Sequence, residues 1–299
     1  MNAGARLSRA VRSVPGLILI VVVLVVWVLP LVGTLVTSLR PGPDAASAGW
    51  WRVLADGSLT LEAYRQVLDG DAGGGGLHGG LIGSVAVAFP ATLLSLVVGV
   101  PAAQAFAWGR FRGREWLFLA VVALLFLPLP LVLIPLASLM ADGLVVGDTR
   151  LIAAPGSLVT WPVLWVAHAA LCAPLVVLLM RNALESVPRP MVDAARSDGA
   201  TEAQILTRIG LPLAVPAVVA IAALVFLWVW NDLLLATVIL GPAGNATVTL
   251  RLAELAATRG HQPDLLAAGA VLTAVVPLVI YVVLRRWVLD AARAATFDR

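Results

Sequence analysis

The sequence predicts an all-α membrane protein with six transmembrane helices, and three observations carry this prediction. Of the 299 residues, 61% are hydrophobic and only 12% are charged, whereas roughly a quarter of the residues of a soluble domain are charged. Six apolar stretches are long enough to cross about 30 Å of hydrocarbon as helices. The charged residues lie mainly between these stretches, which is the layout of a polytopic helical membrane protein.

The six apolar stretches divide the chain into membrane and aqueous segments. The predicted spans cover residues 17–39, 81–108, 116–140, 151–180, 213–240 and 265–287. They place a cytoplasmic N-terminus at 1–16, a transmembrane domain at 17–288 and a cytoplasmic tail at 289–299. Within the domain, residues 40–80 form an external loop and residues 181–212 a cytoplasmic loop.

The arginines predict the orientation. The sequence contains no lysine, so its net charge of +3 is the balance of 20 arginines against 17 Asp and Glu residues. Cytoplasmic loops of membrane proteins are enriched in Lys and Arg. With both termini in the cytoplasm, 14 of the 20 arginines lie inside and six outside, the inside set being Arg6, Arg9, Arg12, Arg110, Arg112, Arg114, Arg181, Arg189, Arg196, Arg208, Arg285, Arg286, Arg293 and Arg299. Both termini are therefore predicted to be cytoplasmic, and membrane orientation explains the basic charge better than nucleic-acid binding.

The first span superficially resembles a cleavable signal peptide. Residues 6–12 are arginine-rich, an apolar run follows, and Ala46-Ser47-Ala48 could be a cleavage site. The apolar region of a signal peptide has only about 7 to 15 residues, and this run is longer. We expect a retained membrane anchor.

The external loop combines an aromatic pair, a short regular element and a glycine run. Trp50 and Trp51 suit the outer headgroup region, where tryptophan is enriched. Residues 61–68 form a strand or a helix. Residues 73–76 are all glycine and indicate a flexible linker, because no Gly-Lys-Ser/Thr follows them as in a phosphate-binding loop.

The cytoplasmic loop predicts a short helix that ends in a sharp turn. Pro190 suits the start of a helix, and Gly199 suits the left-handed position that ends one. The helix between them, residues 191–198, is expected to lie parallel to the membrane surface. It would present Met191, Val192, Ala194 and Ala195 with flanking charges.

A second helix should follow the turn, because Thr201 and Gln204 have the spacing of a capping box. The first helix has about eight residues, too few to recover the cost of helix nucleation in water. It therefore needs a partner surface.

This loop resembles the EAA loop of binding-protein-dependent ABC importer permeases. Asp193-Ala194-Ala195, three residues, Gly199, nine residues, Ile209, one residue and Leu211-Pro212 reproduce the complete spacing of that motif. Asp193 stands where the family usually has Glu, which keeps the charge but shortens the reach. Segments similar to the maltose-type, carbohydrate-importer branch extend over most of the chain: Thr37-Ser38-Leu39-Arg40, Leu59-Thr60-Leu61-Glu62-Ala63-Tyr64, Arg110-Phe111-Arg112-Gly113, Ile134-Pro135-Leu136 and Trp230-Asn231-Asp232.

The resemblance implies a type I ABC importer permease fold and a mechanical role. In this family the EAA helix docks into a cleft on the ATPase, so that closure of the ATPase dimer moves the permease helices. The residues expected to couple to the ATPase are Met191, Val192, Asp193, Ala194, Ala195, Asp198, Gly199 and Ala200.

The same resemblance implies the surroundings of the chain. Its expected partners are a homologous permease subunit, two ATPase subunits, an extracytoplasmic solute-binding protein and the lipid of the bacterial inner membrane. The chain itself would be a transport subunit without enzymatic activity or cofactor, with ATP and Mg²⁺ bound by the ATPase. The expected cargo is a sugar, an oligosaccharide or a polyol.

Three polar residues inside predicted spans are candidates for the translocation path or a gate. Asp232 follows Asn231 within the fifth span, and a charge in hydrocarbon is costly enough to suggest a functional role. Polar packing or gating is a better explanation for Asp232 than direct ligand contact. His168 in the fourth span could line the path, although such a histidine is more often hydrogen-bonded within the helix bundle.

No metal site or catalytic centre can be assigned. Cys172 lies in an apolar span and is interpreted as a buried small hydrophobic residue. His78 and His261 fall in external loops without the spacing of metal ligands. Phosphate-binding, nucleophile-elbow and zinc-helix motifs are absent from the sequence.

Two alternatives to the importer remain at the level of the sequence. A proton-coupled secondary transporter would use Asp232 or His168 and would work without an ATPase. A membrane enzyme or a non-catalytic assembly scaffold would need a catalytic site or a stable partner other than an ATPase.

The arginine distribution leads to a prediction of topology. In a Cys172→Ala background, Gly75→Cys should react with a membrane-impermeant thiol reagent added from outside, and Ser197→Cys only when the cytoplasmic face is opened. Thiol labelling of whole cells and of inverted vesicles, detected as a mass shift, measures the accessibility of both cysteines. The opposite pattern would overturn the orientation and the coupling role of loop 181–212.

Overall fold

The computed structural model describes residues 14–70, 76–142, 144–146, 149–152, 160–241 and 246–297, which are predominantly helical. The first part of the chain contains α1 (Val14–Thr37), α2 (Gly42–Ser47), a 3-10 turn (Trp50–Arg52), α3 (Val53–Asp56), α4 (Glu62–Asp69), α5 (Leu77–Trp108), α6 (Arg114–Ala123), a 3-10 turn (Leu124–Phe126) and α7 (Leu129–Asp142). Helix α4 resolves the element of residues 61–68, which the sequence left open, as a helix.

The second part begins with a small antiparallel hairpin, β1 (Leu144–Val146) and β2 (Thr149–Ile152). It continues with α8 (Thr160–Glu185), α9 (Arg189–Ser197), α10 (Glu202–Ile205), a π-helical turn (Leu206–Gly210), α11 (Leu211–Leu213), α12 (Val215–Trp230), α13 (Leu234–Leu240), α14 (Val248–Arg259) and α15 (Pro263–Phe297).

Four continuous helices in the described residues are long and apolar enough to cross a membrane: α1, α5, α8 and the segment Pro263–Trp287 of α15. Two further apolar helix pairs are sharply bent, Arg114–Phe126 with Leu129–Leu139 by 84° and Glu202–Leu213 with Val215–Trp230 by 86°. The described part of the chain thus provides between four and six candidate spans.

The third predicted span is not one continuous helix, because Pro128 breaks it. A proline lacks a backbone N–H and disfavours the helical conformation of the residue before it. Leu127 accordingly takes extended dihedral angles, φ −66° and ψ 124°. The chain therefore turns between α6 and α7.

The fourth and fifth predicted spans also differ from the structure. The fourth was expected to begin at Leu151, but residues 149–152 pair with β1, and α8 begins at Thr160. Strand pairing satisfies the backbone N–H and C=O groups of residues 149–152, which include the β-branched Thr149 and Ile152, in place of helical hydrogen bonds. The predicted fifth span is broken at residues 231–233, between α12 and α13, so Asp232 lies at a helix break and not within a continuous helix.

The chain divides into two compact units, of which the first comprises residues 1–77 and 252–274. Helix α1 is apolar on all sides and mostly exposed, which is the character of a helix that faces lipid or another apolar surface. Beyond α1, Ser38 Oγ lies 2.7 Å from the Tyr64 hydroxyl of α4. The Arg40 guanidinium donates to the carbonyls of Ala48 and Gly49 at 2.8 and 3.0 Å, which fastens the start of the external loop.

The second unit comprises residues 78–251 and 275–299 and contains a helical core. Fully buried residues of this core include Trp108, Leu164, Met180 and Leu184. Cys172 is buried in the same cluster, which confirms its interpretation as a small hydrophobic residue.

Helices α5 and α8 pack closely through a glycine. A Cβ added to Gly99 would lie 2.6 Å from Val176 Cγ1 and 2.8 Å from Val176 Cβ. The indole of Trp165 also donates to the Ala86 carbonyl at 2.9 Å. The two helices are therefore held by close packing and by a side-chain hydrogen bond to a backbone carbonyl.

This contact gives a prediction of stability. Gly99→Ala should lower the apparent Tm of the detergent-solubilised protein, because overpacking costs about 1–3 kcal/mol and outweighs the ~1 kcal/mol gained by replacing a helical glycine. Gly79→Ala in the same helix is the matched control, since no atom lies within 4 Å of its added Cβ. Thermal unfolding followed by tryptophan fluorescence compares the two variants. An unchanged or higher Tm for Gly99→Ala would contradict the close packing.

Candidate functional site

The loop between α8 and α12 contains a short helix that ends as the sequence predicts. Helix α9 is followed by Gly199, which has φ +81°. The Ala200 N–H donates to the Ala195 carbonyl and the Gly199 N–H to the Arg196 carbonyl, both at 3.0 Å. This pair of bonds is a Schellman motif, which satisfies carbonyls that a helix end leaves unpaired.

The next helix begins with the predicted capping box. The Gln204 N–H donates to Thr201 Oγ1 at 3.3 Å, and the Thr201 N–H donates to Gln204 Oε1 at 2.8 Å. Both residues bond within the same turn, so their local chemistry was sufficient to predict the structure. The short helix, the left-handed glycine and the second helix are thereby confirmed.

The exposed face of α9 differs from the predicted one. Met191 is 46% exposed, and the side chain of Asp193 is 56% exposed. Ala194 is exposed as well. Val192, in contrast, is fully buried in the core of the second unit, and Ala195 is partly buried against the same core.

The prediction that α9 presents Val192 and Ala195 is therefore wrong for Val192 and holds for Ala195 only in part. Residues three positions apart lie on the same side of a helix, so this side of α9 is used to attach it to its own chain. The exposed predicted coupling residues are Met191, Asp193, Ala194, Asp198 and Gly199.

Two arginines attach α9 to the end of α5. The Arg189 guanidinium donates to the Ala107 carbonyl at 2.7 Å, and the Arg196 guanidinium donates to the Trp108 carbonyl at 3.3 Å. The last carbonyls of a helix lack intrahelical partners and carry partial negative charge, so cationic donors are favourable there. Helix α9 is thus connected to the C-terminus of α5 at both of its ends.

A carboxylate completes this attachment. Glu202 Oε1 accepts from Arg196 Nε at 2.8 Å, and the Gln104 amide of α5 donates to Glu202 Oε2 at 3.1 Å and to the Glu202 carbonyl at 2.8 Å. The hydrogen bond to Glu202 raises the pKa of Arg196 above its ordinary value, so this guanidinium stays charged. We refer to Gln104, Arg189, Arg196 and Glu202 as the loop clamp.

Sequence reasoning did not find the loop clamp. Arg189 and Arg196 were counted only as orienting charges, and Gln104 drew no attention. Gln104 and Glu202 are 98 positions apart, and Arg189 and Ala107 are 82 apart. No local pattern links such distant positions.

The second candidate group brings His168 and Asp232 together. His168 is 2% exposed, and its Nε2 lies 3.5 Å from Asp232 Oδ2. This distance exceeds that of a good hydrogen bond. Nδ1 of His168 lies 2.9 Å from the Leu164 carbonyl, which can only accept, so Nδ1 is assigned the proton. In neutral His168 the lone pair of Nε2 therefore faces the carboxylate.

Asp232 also stabilises the break between α12 and α13. Its carboxylate accepts from the backbone N–H groups of Leu235 at 3.4 Å and Ala236 at 3.1 Å. Its carbonyl accepts from the Thr249 hydroxyl at 2.6 Å. Within the described residues, no hydrogen bond joins Asn231 to His168 or to the Asp232 carboxylate. The side-chain amide of Asn231 donates instead to the Leu227 carbonyl at 2.7 Å.

These contacts place Asp232 in polar packing, because its carboxylate satisfies backbone donors. They join α8 to the broken fifth segment. A role in gating stays a prediction. Among the described residues, no group of three or more His, Cys, Asp or Glu side chains is arranged to hold a metal ion.

Comparison with known proteins gives a family match. The family described as "Binding-protein-dependent transport system inner membrane component" matches residues 95–293. The chain is 37% identical to the osmoprotective compounds uptake permease protein GgtD of Synechocystis sp., over 92% of this chain and 89% of that protein. It is 38% identical to the alpha-glucoside transport system permease protein AglG of Rhizobium meliloti, over 80% of this chain and 60% of that protein.

A solved structure has the same fold. It is a crystal structure of a bacterial alginate ABC transporter in complex with an alginate pentasaccharide-bound periplasmic protein. One of its chains matches with a TM-score of 0.66, over 93% of this chain and 96% of that chain, at 14% sequence identity.

The contacts of Asp232 predict an order of severity for its variants. Asp232→Asn should impair transport less than Asp232→Leu, because an amide oxygen still accepts a backbone N–H whereas leucine leaves both donors unsatisfied at about 1–3 kcal/mol each. Solute uptake and the amount of assembled complex are measured together. Equal and complete loss of uptake in both variants, with normal assembly, would instead show that the charge itself is required.

Proposed function

The chain belongs to the binding-protein-dependent transport system inner membrane components, and we propose that it forms half of the translocation path of an ATP-driven importer for a sugar, an oligosaccharide or a polyol. It is a permease subunit of an ABC importer and a multi-pass inner-membrane protein. It is a transport subunit, and ATP hydrolysis belongs to a separate polypeptide. Membership of this family excludes the two alternatives left by the sequence, a proton-coupled secondary transporter and a membrane enzyme or assembly scaffold.

The proposed cargo rests on relatives and on the sequence resemblance. AglG is named for alpha-glucoside transport, and GgtD for the uptake of osmoprotective compounds. Both names are compatible with small polyhydroxylated solutes. The similarity to the carbohydrate-importer branch points to the same class.

The proposed topology has six spans with both termini in the cytoplasm. Four spans are the continuous helices α1, α5, α8 and α15, and the bent pair α6–α7 provides another. The sixth is built on α12, the apolar member of the second bent pair, and α13 follows it within the predicted span 213–240. In this orientation 14 of the 20 arginines lie on the cytoplasmic side, as the enrichment of Arg in cytoplasmic loops favours.

The proposed assembly contains a homologous permease subunit, two ATPase subunits and an extracytoplasmic solute-binding protein. ATP and Mg²⁺ would bind to the ATPase subunits, and none of this chain's residues is assigned to them. Solute would pass between the two permeases by alternating access. His168, Asn231 and Asp232 are proposed to act at or near this path as polar packing or as part of a gate, not as direct ligands.

Attachment of α9 to its own bundle is the observation that carries the coupling proposal. Val192 and the loop clamp hold the helix on α5 and the core, while Met191, Asp193 and Ala194 remain exposed. A helix that is fixed on one side and exposed on the other can transmit a displacement. We assign the exposed side, together with Asp198, Gly199 and Ala200 at the turn, to the contact with the ATPase.

Gly199 provides the test of coupling. A Cβ added there meets no atom within 4 Å, so packing does not exclude a side chain. The backbone does, because φ +81° disfavours an ordinary L-residue by about 1–2 kcal/mol or more. Gly199→Val should therefore insert normally but release the ATPase or uncouple ATP hydrolysis from transport.

The experiment measures solute uptake, ATPase activity and ATPase co-purification in parallel. Ala203→Val, at an exposed position in α10, is the matched control and should behave as the unmodified protein. Gly199→Asn should retain more transport than Gly199→Val, since asparagine tolerates the left-handed conformation better. Normal transport with a fully retained ATPase in Gly199→Val would refute the coupling role of this loop.

A further inference from the structure

The turn between α5 and α6 carries an excess of positive charge. Arg114 donates to Glu115 through Nε at 3.0 Å, and it also donates to the Gly109 carbonyl at 3.1 Å. Arg181 of α8 lies 3.3 Å from Glu115 and 2.9 Å from Glu185. Two arginines and two glutamates therefore neutralise each other beside the turn.

Arg110 and Arg112 are left outside this balance. Both are exposed, and neither has a hydrogen bond or an ion pair with any residue in the described ranges. Arg110 lines a surface pocket of about 390 Å³ together with Gly109, Phe111, Gly113, Arg114, Glu115 and Trp116. Arg114 and Arg181 pair with the Glu115 carboxylate. Gly113 closes the turn with φ +80°, which fixes the backbone in a conformation that suits glycine.

An apolar surface begins directly after the basic turn. Phe111 is 44% exposed and Trp116 is 79% exposed. Along the same helix α6, Leu117 and Leu119 are 52% and 57% exposed. Tryptophan is enriched at the level of lipid headgroups, where its ring contacts both the apolar and the polar regions.

We propose that this turn binds the phosphodiester headgroup of an anionic phospholipid. Arg110 and Arg112 contact the phosphate, Trp116 lies at the interface, and an acyl chain follows the exposed side chains of α6. The two arginines without a counter-charge in the described ranges favour an anion, and the exposed apolar side chains of α6 favour hydrocarbon, so one amphiphilic ligand fits both. Assigning the site to the cytoplasmic leaflet rests on the proposed topology, whereas binding itself does not.

The test uses the full chain purified with its partner subunits in detergent. Dioleoyl phosphatidylglycerol or dioleoyl phosphatidylcholine is added in equal amounts, and binding is followed by native mass spectrometry. The variant is Arg110→Gln with Arg112→Gln. The matched control is Arg52→Gln with Arg65→Gln, two exposed arginines of the external loop.

Phosphatidylglycerol should bind the unmodified complex more tightly than phosphatidylcholine does. The Arg110/Arg112 variant should lose about 25-fold in affinity for phosphatidylglycerol, from roughly fivefold for each arginine near a charged interface. The control should lose little, and Arg110→Lys with Arg112→Lys should keep most of the affinity. Raising the salt concentration should weaken the binding of phosphatidylglycerol, since exposed charges are screened.

Three outcomes would overturn the proposal. Unchanged phosphatidylglycerol binding in the Gln variant would place the lipid elsewhere. Release of the ATPase by the same variant, with lipid binding intact, would make the turn a contact with a protein subunit. Competition by inorganic phosphate at millimolar concentration would show that a free anion and not the lipid is recognised. Gly199→Val tests the coupling loop independently, so failure of one idea does not imply failure of the other.

Discussion

The satisfaction of backbone hydrogen bonds is the constraint on which this structure depends. In hydrocarbon each unpaired N–H or C=O costs several kcal/mol, so a span can break only where other groups replace the lost bonds. The Asp232 carboxylate does this at the start of α13, where it accepts from Leu235 and Ala236. At the end of α5, Arg189 and Arg196 donate to the terminal carbonyls of Ala107 and Trp108. The two candidate functional regions are therefore both places where side chains complete the backbone of a helix end.

Much of the architecture follows from the sequence because its signals are local. Apolar length located α1, α5 and the segment Pro263–Trp287 of α15 with small errors. The chemistry of Gly199 and of the Thr201–Gln204 pair determined the turn and the capping box. The break after α6 has a local signal in Pro128, which lies inside the span predicted for residues 116–140. The start of α8 was placed too early, because apolar length alone does not distinguish a β-hairpin from a helix.

The parts that could not be predicted depend on contacts between distant positions. Val192 and Met191 are adjacent and both apolar, yet one is buried and the other exposed. Which of them faces the bundle depends on how α9 is rotated, and that rotation is fixed by Arg189, Arg196 and Glu202 through bonds to α5. The proximity of His168 and Asp232 is of the same kind, since it joins α8 to the break after α12. A single sequence contains no information about such pairs beyond residue type.

The loop clamp also changes the energetics of the proposed docking. A helix as short as α9 is marginal in water, so a free loop would pay the entropy of ordering when it bound its partner. Here Val192 and the loop clamp order α9 within its own chain. The entropy of ordering α9 therefore does not weaken the proposed contact with the ATPase. The same bonds end on the carbonyls of Ala107 and Trp108, while the Trp108 indole donates to the Leu184 carbonyl at the end of α8. Under the proposed coupling role, a displacement of α9 would therefore act on the ends of α5 and α8 through these bonds.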